Sequence, residues 1–386
     1  MPAANISTLR EQALQFQDYL ATVKAQTPLN PPRVIWYPWE TLSQIGVLDT
    51  FLQNDRDALK NMVGRDPVLD VGCGDGDIAF FLESLGMQVD AVDYAPTNNN
   101  ALLGVHALKK KLGSSIRIHE VDLDARPTLP SSDYGFTVML GVLYHLKNPF
   151  LVLEALARAS RYIFLSTRIA SLSPDRKTNF GALPLAYLVE EEELNNDETN
   201  YWIFSEKALQ RVLRRTGWDV IHYTTFGSAA TADPVSEAGD ARAYILAKSR
   251  VVGPQRGFRL RQGWHPLEDN YWRWTERIFS IELDTSASLQ PGTLRFAFQL
   301  PEVVFAQSPT LTLLVRVNGT PLVPGIYSMP GGHEYIGTMP PTDSGVVTVE
   351  FELDHAIGPT DQDRRELGLI VELSGASPIE LSYSSK

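Results

Sequence analysis

The residues best equipped for chemistry gather in Val68 to Asp77, VLDVGCGDGD. An apolar run of strand type carries Asp70 near its end. It breaks into Gly72, Gly74 and Gly76 at alternate positions, and helix-compatible sequence resumes at Ile78. Glycine lets the backbone bend sharply and lets a ligand approach where a Cβ would block it. The amides at the helix start are expected to face that ligand. A carboxylate at Asp70 repels a pyrophosphate and suits a cation. The next apolar run, Met87 to Val92, ends in Asp93, about twenty residues past the first glycine, where an acid that binds ribose hydroxyls is expected.

Together, Asp70, the spaced glycines and Asp93 resemble the cofactor site of the class I S-adenosylmethionine (SAM) methyltransferases. The resemblance implies SAM as the cofactor, with Asp93 on the ribose and the turn at Gly72, Cys73 and Gly74 carrying the methionine part. Asp70, Tyr94, Leu140 and Gly141 complete the implied cofactor set. Asp122 and Leu123, after the third strand, are the implied contacts of the adenine amino group and ring. Two further stretches, Gly141-Val142-Leu143-Tyr144-His145 ahead of Asn148-Pro149, and Asn200-Tyr201-Trp202-Ile203-Phe204-Ser205, are similar to segments of the enzymes that alkylate hydroxyuridine at the tRNA wobble position. Those enzymes bind a carboxylated SAM, using the tyrosine of this motif and a basic residue in a closing tail. No counterpart of that tail follows the sheet here, so ordinary SAM is the implied cofactor.

A methyl group on a sulfonium is already activated, so the protein mainly has to align the acceptor with it. A hydroxyl acceptor also needs a base. His145 follows the fourth strand, and its natural pKa suits proton transfer near neutrality, so it is the candidate base; the alternative is that it braces its loop by hydrogen bonds. Tyr144 is expected to orient the acceptor or the methionine carboxylate. The scattered histidines and the single cysteine form no metal-ligand pattern, and no intrachain disulfide is possible. Cys73 reads as a small residue filling space beneath the turn.

Positioning these residues calls for a parallel sheet covered on both faces. Strands are expected at Val68–Val71, Gln88–Asp93, Ile116–Val121, Tyr134–Leu140, Tyr162–Thr167, Val220–Thr225 and Ala243–Ala247, a seven-stranded Rossmann-like α/β methyltransferase domain. Helices are expected near Asp77–Leu85, Asn99–Leu112, Pro149–Ala159 and Glu206–Thr216. An amphipathic helix over Ile6–Ala25, the aromatic cluster Trp36-Tyr37-Pro38-Trp39, and two more helical patterns to Val63 form an N-terminal helical cap, with one of those aromatics a candidate to face substrate. The stretch from Ala170 to Thr199 has little periodicity and reads as a lid over the acceptor pocket, its acidic run Glu190–Glu193 a solvated helix face. Residues 1–64, 65–249, 250–262 and 263–386 thus read as cap, methyltransferase domain, basic linker and a last domain.

From Gly263 the helical period gives way to alternating runs, Ile278–Leu283, Leu294–Leu300, Leu311–Val317, Val346–Leu353 and Leu367–Leu373, between turns such as Asn318-Gly319. This is an all-β sandwich of jelly-roll type. Its opening, Gly263-Trp264-His265-Pro266 through Trp272-Arg273-Trp274-Thr275, resembles accessory modules attached to bacterial glycosyltransferases of envelope polysaccharide synthesis. That implies contact with carbohydrate or protein, although tryptophans in a sandwich more often lie in the core.

With 386 residues, 44% of them hydrophobic and 21% charged, the chain has the composition of a folded protein with a proper core. Its net charge of -12 opposes a broad nucleic-acid surface. The absence of a membrane-length apolar run or signal pattern makes a cytoplasmic location the default. The expected function is methylation of a hydroxyl on a sugar, glycan precursor or small molecule. An RNA methyltransferase of the wobble-uridine kind is one alternative, and a β-sandwich interaction protein with a SAM-binding scaffold is another.

Overall fold

The computed structural model describes residues 8–386 apart from 32, 56, 126, 132, 237–239, 252–257, 267, 269–271, 286–290, 307, 343–345, 362, 373–377 and 384–386. It divides into two compact units, Met1–Val252 and Gly253–Lys386.

In the first unit, helix α1 (Leu9–Ala25) is started by a capping box in which the Thr8 hydroxyl accepts from the Glu11 amide while the Glu11 carboxylate accepts from the Thr8 amide. The helix therefore begins at Leu9; Ile6, where the sequence pattern places its start, lies outside the described residues. Two short helices follow, α2 (Ile45–Phe51) and α3 (Ala58–Val63). Then come β1 (Val68–Val71), α4 (Asp77–Ser84), β2 (Val89–Asp93), α5 (Leu103–Leu112), β3 (Arg117–Glu120), β4 (Tyr134–Leu140), α6 (Pro149–Ala159) and β5 (Ser160–Ile169). The unit ends with β6 (Ala186–Leu188), β7 (Trp202–Phe204), α7 (Glu206–Arg215), β8 (Trp218–Gly227) and β9 (Ala241–Ser249).

Strands β1 to β5 run parallel in the order β3-β2-β1-β4-β5, so the chain reverses direction across the sheet between β1 and β4. In such a sheet the crevice at the carboxyl ends of the strands beside that reversal receives the ligand. Side chains of β1 alternate between two cores: Val68 packs with α1, α4 and α5, whereas Leu69 and Val71 pack with α6 and α7. Strand β9 lies antiparallel between β5 and β8.

The sheet has nine strands rather than the expected seven. The two extra ones are β6 and β7, three residues each, with β7 continuing the carboxyl end of β5 through the pair Ile169↔Phe204. Strands that short carry no readable alternation, which is why the sequence pattern misses them. Two smaller corrections come from side-chain hydrogen bonds that hold turns. Helix α5 starts at Leu103 rather than Asn99, because Asn98 Oδ1 accepts from the amides of Asn100 and Leu102 and holds that stretch as a turn. Glu190–Glu193 is a turn, not a helix face, with Glu193 accepting from the Tyr187 hydroxyl at 2.9 Å and the Glu190 amide at 3.0 Å.

The second unit is built of antiparallel sheets. One contains Phe258–Leu260, Ile278–Asp284, Val346–Leu353 and Leu311–Val317; the other contains Trp272–Trp274, Ile370–Glu372, Gly292–Leu300 and Gly331–Met339. Alternate residues from both fill one core, where Phe296 lies 6.0 Å from Phe279 and 4.7 Å from Phe351 between ring centres. Trp264 belongs to this packing, 5.2 Å from Phe279, with its indole N–H donating to the Ser280 carbonyl. Of the linker read over 250–262, residues 252–257 lie outside the described residues, and Phe258–Leu260 is already a strand of the second unit. Phe351→Ala is expected to cost about 3–5 kcal/mol by the removal of a fully buried ring, read from denaturant unfolding; a loss below about 1 kcal/mol would contradict this packing.

Candidate active site

The crevice is assembled from the ends of β1, β2 and β4. Gly72 has φ +68°, and a Cβ there would stand 2.3 Å from Val142 Cγ2, so the turn after β1 and the turn after β4 meet only because position 72 is glycine. Four amides of the glycine turn are engaged within the protein. Gly72 N donates to Val92 O at 2.9 Å, Cys73 N to the same oxygen at 3.3 Å, Gly76 N to Cys73 O at 2.7 Å, and Gly74 N to Asp93 Oδ2 at 2.8 Å. A turn whose amides are spent internally has little to offer a pyrophosphate.

Carboxylates dominate the site instead. Asp75 is 2% exposed; it accepts from the amide of Tyr37 and from Asn100 Nδ2, both at 2.7 Å, and pairs with Lys24 Nζ at 3.2 Å. Lys24 also meets Asp77 at 2.8 Å, so these acids fasten α1 and the aromatic segment over the turn. Asp93 accepts from Gly74 N and Tyr94 N at 2.8 Å each and from Asn98 Nδ2 at 2.9 Å. A carboxylate has about four lone-pair sites, so a ribose diol fits Asp93 by using the remaining one and competing with Asn98. Asp70 is different. It is 4% exposed, and its Oδ2 is buried with no hydrogen-bond partner. Burial, with Asp93 nearby, pushes its pKa up to about 7. An orphaned carboxylate oxygen beside a second carboxylate fits a cationic group such as the ammonium of a methionine moiety.

The other expected residues fall around this centre. Cys73 is buried and its thiol is held well above its ordinary range by burial and by Asp93, Asp70 and Asp75, which removes it as a nucleophile. Tyr94 and Leu140 are half-buried at the ends of β2 and β4. Asp122 Oδ1 accepts from the amides of Asp124 and Ala125, shaping the loop after β3, and Leu123 is buried with the α6-side core. Gly141 has φ +73°, and a Cβ there would lie 3.6 Å from both Arg242 Nη1 and Tyr144 Oη.

Arg242 is the basic partner of Tyr144 that sequence reasoning did not find: its guanidinium carbon lies 5.8 Å from the Tyr144 ring centre. Burial works against its charge, but the Tyr144 phenol and Asp240 outweigh burial and hold its pKa above the ordinary guanidinium value. Arg242 sits opposite Arg168 in the β5–β9 register, and the two share Asp240, at 3.3 and 3.5 Å. Of the aromatic cluster, Tyr37 is the one brought to the site; a Cβ on Gly74 would lie 3.6 Å from its ring, and burial together with Tyr144 pushes its phenol up to about 12. Trp36 packs under Lys24, and Trp39 is 68% exposed.

His145 lies beside Tyr144, ring centres 4.3 Å apart, with its Nδ1 on Thr199. Burial holds its pKa below the ordinary imidazole value, against the pull of Asp197, which favours the neutral ring. The two stretches that carry the narrower resemblance are stitched together here. Tyr201 N donates to Tyr144 O at 2.8 Å, and Trp202 Nε1 donates to Lys147 O at 3.2 Å.

The model of a protein family described as Methyltransferase domain matches residues 47–223. That segment is a methyltransferase domain, and S-adenosylmethionine is its cofactor. Among curated proteins, the ubiquinone biosynthesis O-methyltransferase of Xanthomonas oryzae pv. oryzae (strain PXO99A) is 33% identical over 104 residues, 26% of this chain and 42% of the relative. The protein of that name from Paraburkholderia xenovorans (strain LB400) is 27% identical over 114 residues, 29% of this chain and 47% of the relative. The chain thus spans about half the length of the curated relatives it matches. A solved structure, the N-terminal domain of EvdMO1 with SAH bound, is 16% identical and covers 61% of this chain and 97% of its own, with a TM-score of 0.39.

Asp70 has a testable pH signature. Its folded pKa, about 7, lies above its ordinary 3.8. Its contribution to stability is therefore fully present below about pH 4 and is lost as the pH rises to about 7. A bound ammonium favours the ionised form, so SAM affinity should rise between about pH 6 and about pH 7.5. Asp70→Asn should abolish both slopes in calorimetric titrations and melting curves; slopes unchanged in the variant would remove Asp70 as their source.

Proposed function

We propose that the protein is a SAM-dependent O-methyltransferase whose acceptor is a hydroxyl on a sugar, glycan precursor or related small molecule. The observation that carries this reading is the place of His145, set in the turn after β4 beside Tyr144 and Arg242 and at the same strand ends as Asp70 and Asp93. The partial likeness to curated O-methyltransferases supports it. When bound, SAM supplies a methyl group already activated by its sulfonium.

The chain's own residues do the rest. Asp93 holds the ribose diol, Asp70 faces the ammonium, and Leu140, Gly141, Asp122 and Leu123 complete the pocket. Tyr37 covers the glycine turn as part of an N-terminal helical cap. Tyr144, backed by Arg242, orients a polar group of acceptor or cofactor, and His145 is placed to take the proton of the hydroxyl that accepts the methyl group. The second unit recognises carbohydrate or a protein partner. No helix among the described residues is long and apolar enough to cross a membrane, and we place the reaction in the cytoplasm.

Asp93→Ala should weaken SAM binding about 10- to 100-fold, the loss of hydrogen bonds to a charged group; unchanged affinity in a calorimetric titration would sink the ribose assignment. His145→Ala should lower turnover about 10²- to 10⁴-fold with little effect on SAM affinity. The acceptor class is read by transferring an isotopic methyl label from SAM into a bacterial extract. Label in glycan or small-molecule fractions is expected, and label confined to RNA would replace this reading with the wobble-uridine one.

A further inference from the structure

His145 is held by a chain of two further residues. Its Nδ1 lies 3.2 Å from the Thr199 carbonyl oxygen and 2.9 Å from the Thr199 hydroxyl. A carbonyl oxygen only accepts, so Nδ1 must carry the proton. The Thr199 hydroxyl in turn donates to Asp197 Oδ1 at 2.6 Å, and the Thr199 amide donates to the same oxygen at 2.9 Å. With its own hydrogen committed to the carboxylate, the hydroxyl oxygen is free to accept from Nδ1. Every donor in the chain then has an acceptor, Nδ1–H being shared between the Thr199 carbonyl and hydroxyl oxygens, and the direction of the hydrogen bonds is fixed from the imidazole to the carboxylate.

We propose that Thr199 and Asp197 are positioning residues that hold His145 as the Nδ1–H tautomer, leaving the Nε2 lone pair as the acceptor of the substrate hydroxyl proton. The proposal rests on the reading of His145 as the base. It gives the Ala170–Thr199 stretch a role beyond covering the pocket, since this stretch supplies the carboxylate that sets the base. As Nε2 takes a proton the imidazole becomes positive, and Asp197 stabilises that charge through Thr199. The other groups facing His145 are Tyr144, in ring contact, and Arg242 on β9, whose positive charge opposes protonation. On the same turn, Lys147 lies with its ammonium 5.5 Å over the Tyr201 ring.

The test uses the full chain with nitrogen-15-labelled histidine, followed by long-range proton–nitrogen NMR from about pH 5 to about pH 8. Wild type should show the His145 Nδ1 protonated and Nε2 bare at neutral pH. Asp197→Asn should shift the His145 titration to lower pH and move the acid limb of methyl transfer in the same direction. Transfer is measured as label from SAM into the extract fraction that wild type labels. Thr199→Val should lower the transfer rate about tenfold or more, with SAM affinity within about twofold, and Thr199→Ser should restore it.

An Nε2–H tautomer in wild type would overturn the proposal. So would a Thr199→Val protein with unchanged transfer rate and pH–rate profile, because that variant keeps the carbonyl contact and loses only the hydroxyl link to Asp197. Full turnover by His145→Ala would defeat the base reading, and the proposal with it, by a measurement independent of the tautomer.

Discussion

A buried carboxylate is costly unless something neutralises or hydrogen-bonds it, and the crevice of the first unit contains three acids in close succession. Asp75 is satisfied by Lys24, Asn100 and the Tyr37 amide, which brings helix α1 and the aromatic segment over the glycine turn. Asp93 is satisfied by Gly74, Tyr94 and Asn98, which ties the end of β2 to that turn. Asp70 alone keeps an oxygen without a partner. The architecture around the site follows from how the first two are compensated, and the ligand chemistry we propose rests on the third.

The local part of this arrangement was legible in the sequence. A strand, three spaced glycines and a helix start are contiguous, and the acid at Asp93 lies one βα unit later, so short-range geometry fixed them. The alternation that revealed the strands of the second unit is local in the same sense. What remained hidden was brought in by distant segments. Arg242 reaches Tyr144 because β9 runs antiparallel to β5, and nothing near position 242 announces its partner. Thr199 reaches His145 through an irregular stretch in which periodicity gives no signal. Asn98 is the most nearly legible of these: a run of three asparagines just after Asp93 is a hint that the turn is held by side chains. The partners of the turn's own amides were equally out of reach of local pattern, because the Val92 carbonyl and the Asp93 carboxylate that accept from Gly72, Cys73 and Gly74 belong to the neighbouring strand.

The site is also built from both sides of the sheet's reversal. Residues after β1 and β2 form the acidic half, whereas the turn after β4 carries the imidazole and phenol, braced by residues 199–202 and by β9. The two halves touch where Gly72 admits Val142. On the proposed reading, this division separates cofactor recognition from proton handling.

The most direct measurement of the central claim is a calorimetric titration of the full chain with S-adenosylmethionine and, separately, with NAD. A crevice whose amides are consumed and whose carboxylates remain should bind the sulfonium cofactor and give no detectable heat with the pyrophosphate one. Binding of NAD, or none of S-adenosylmethionine, would contradict the account.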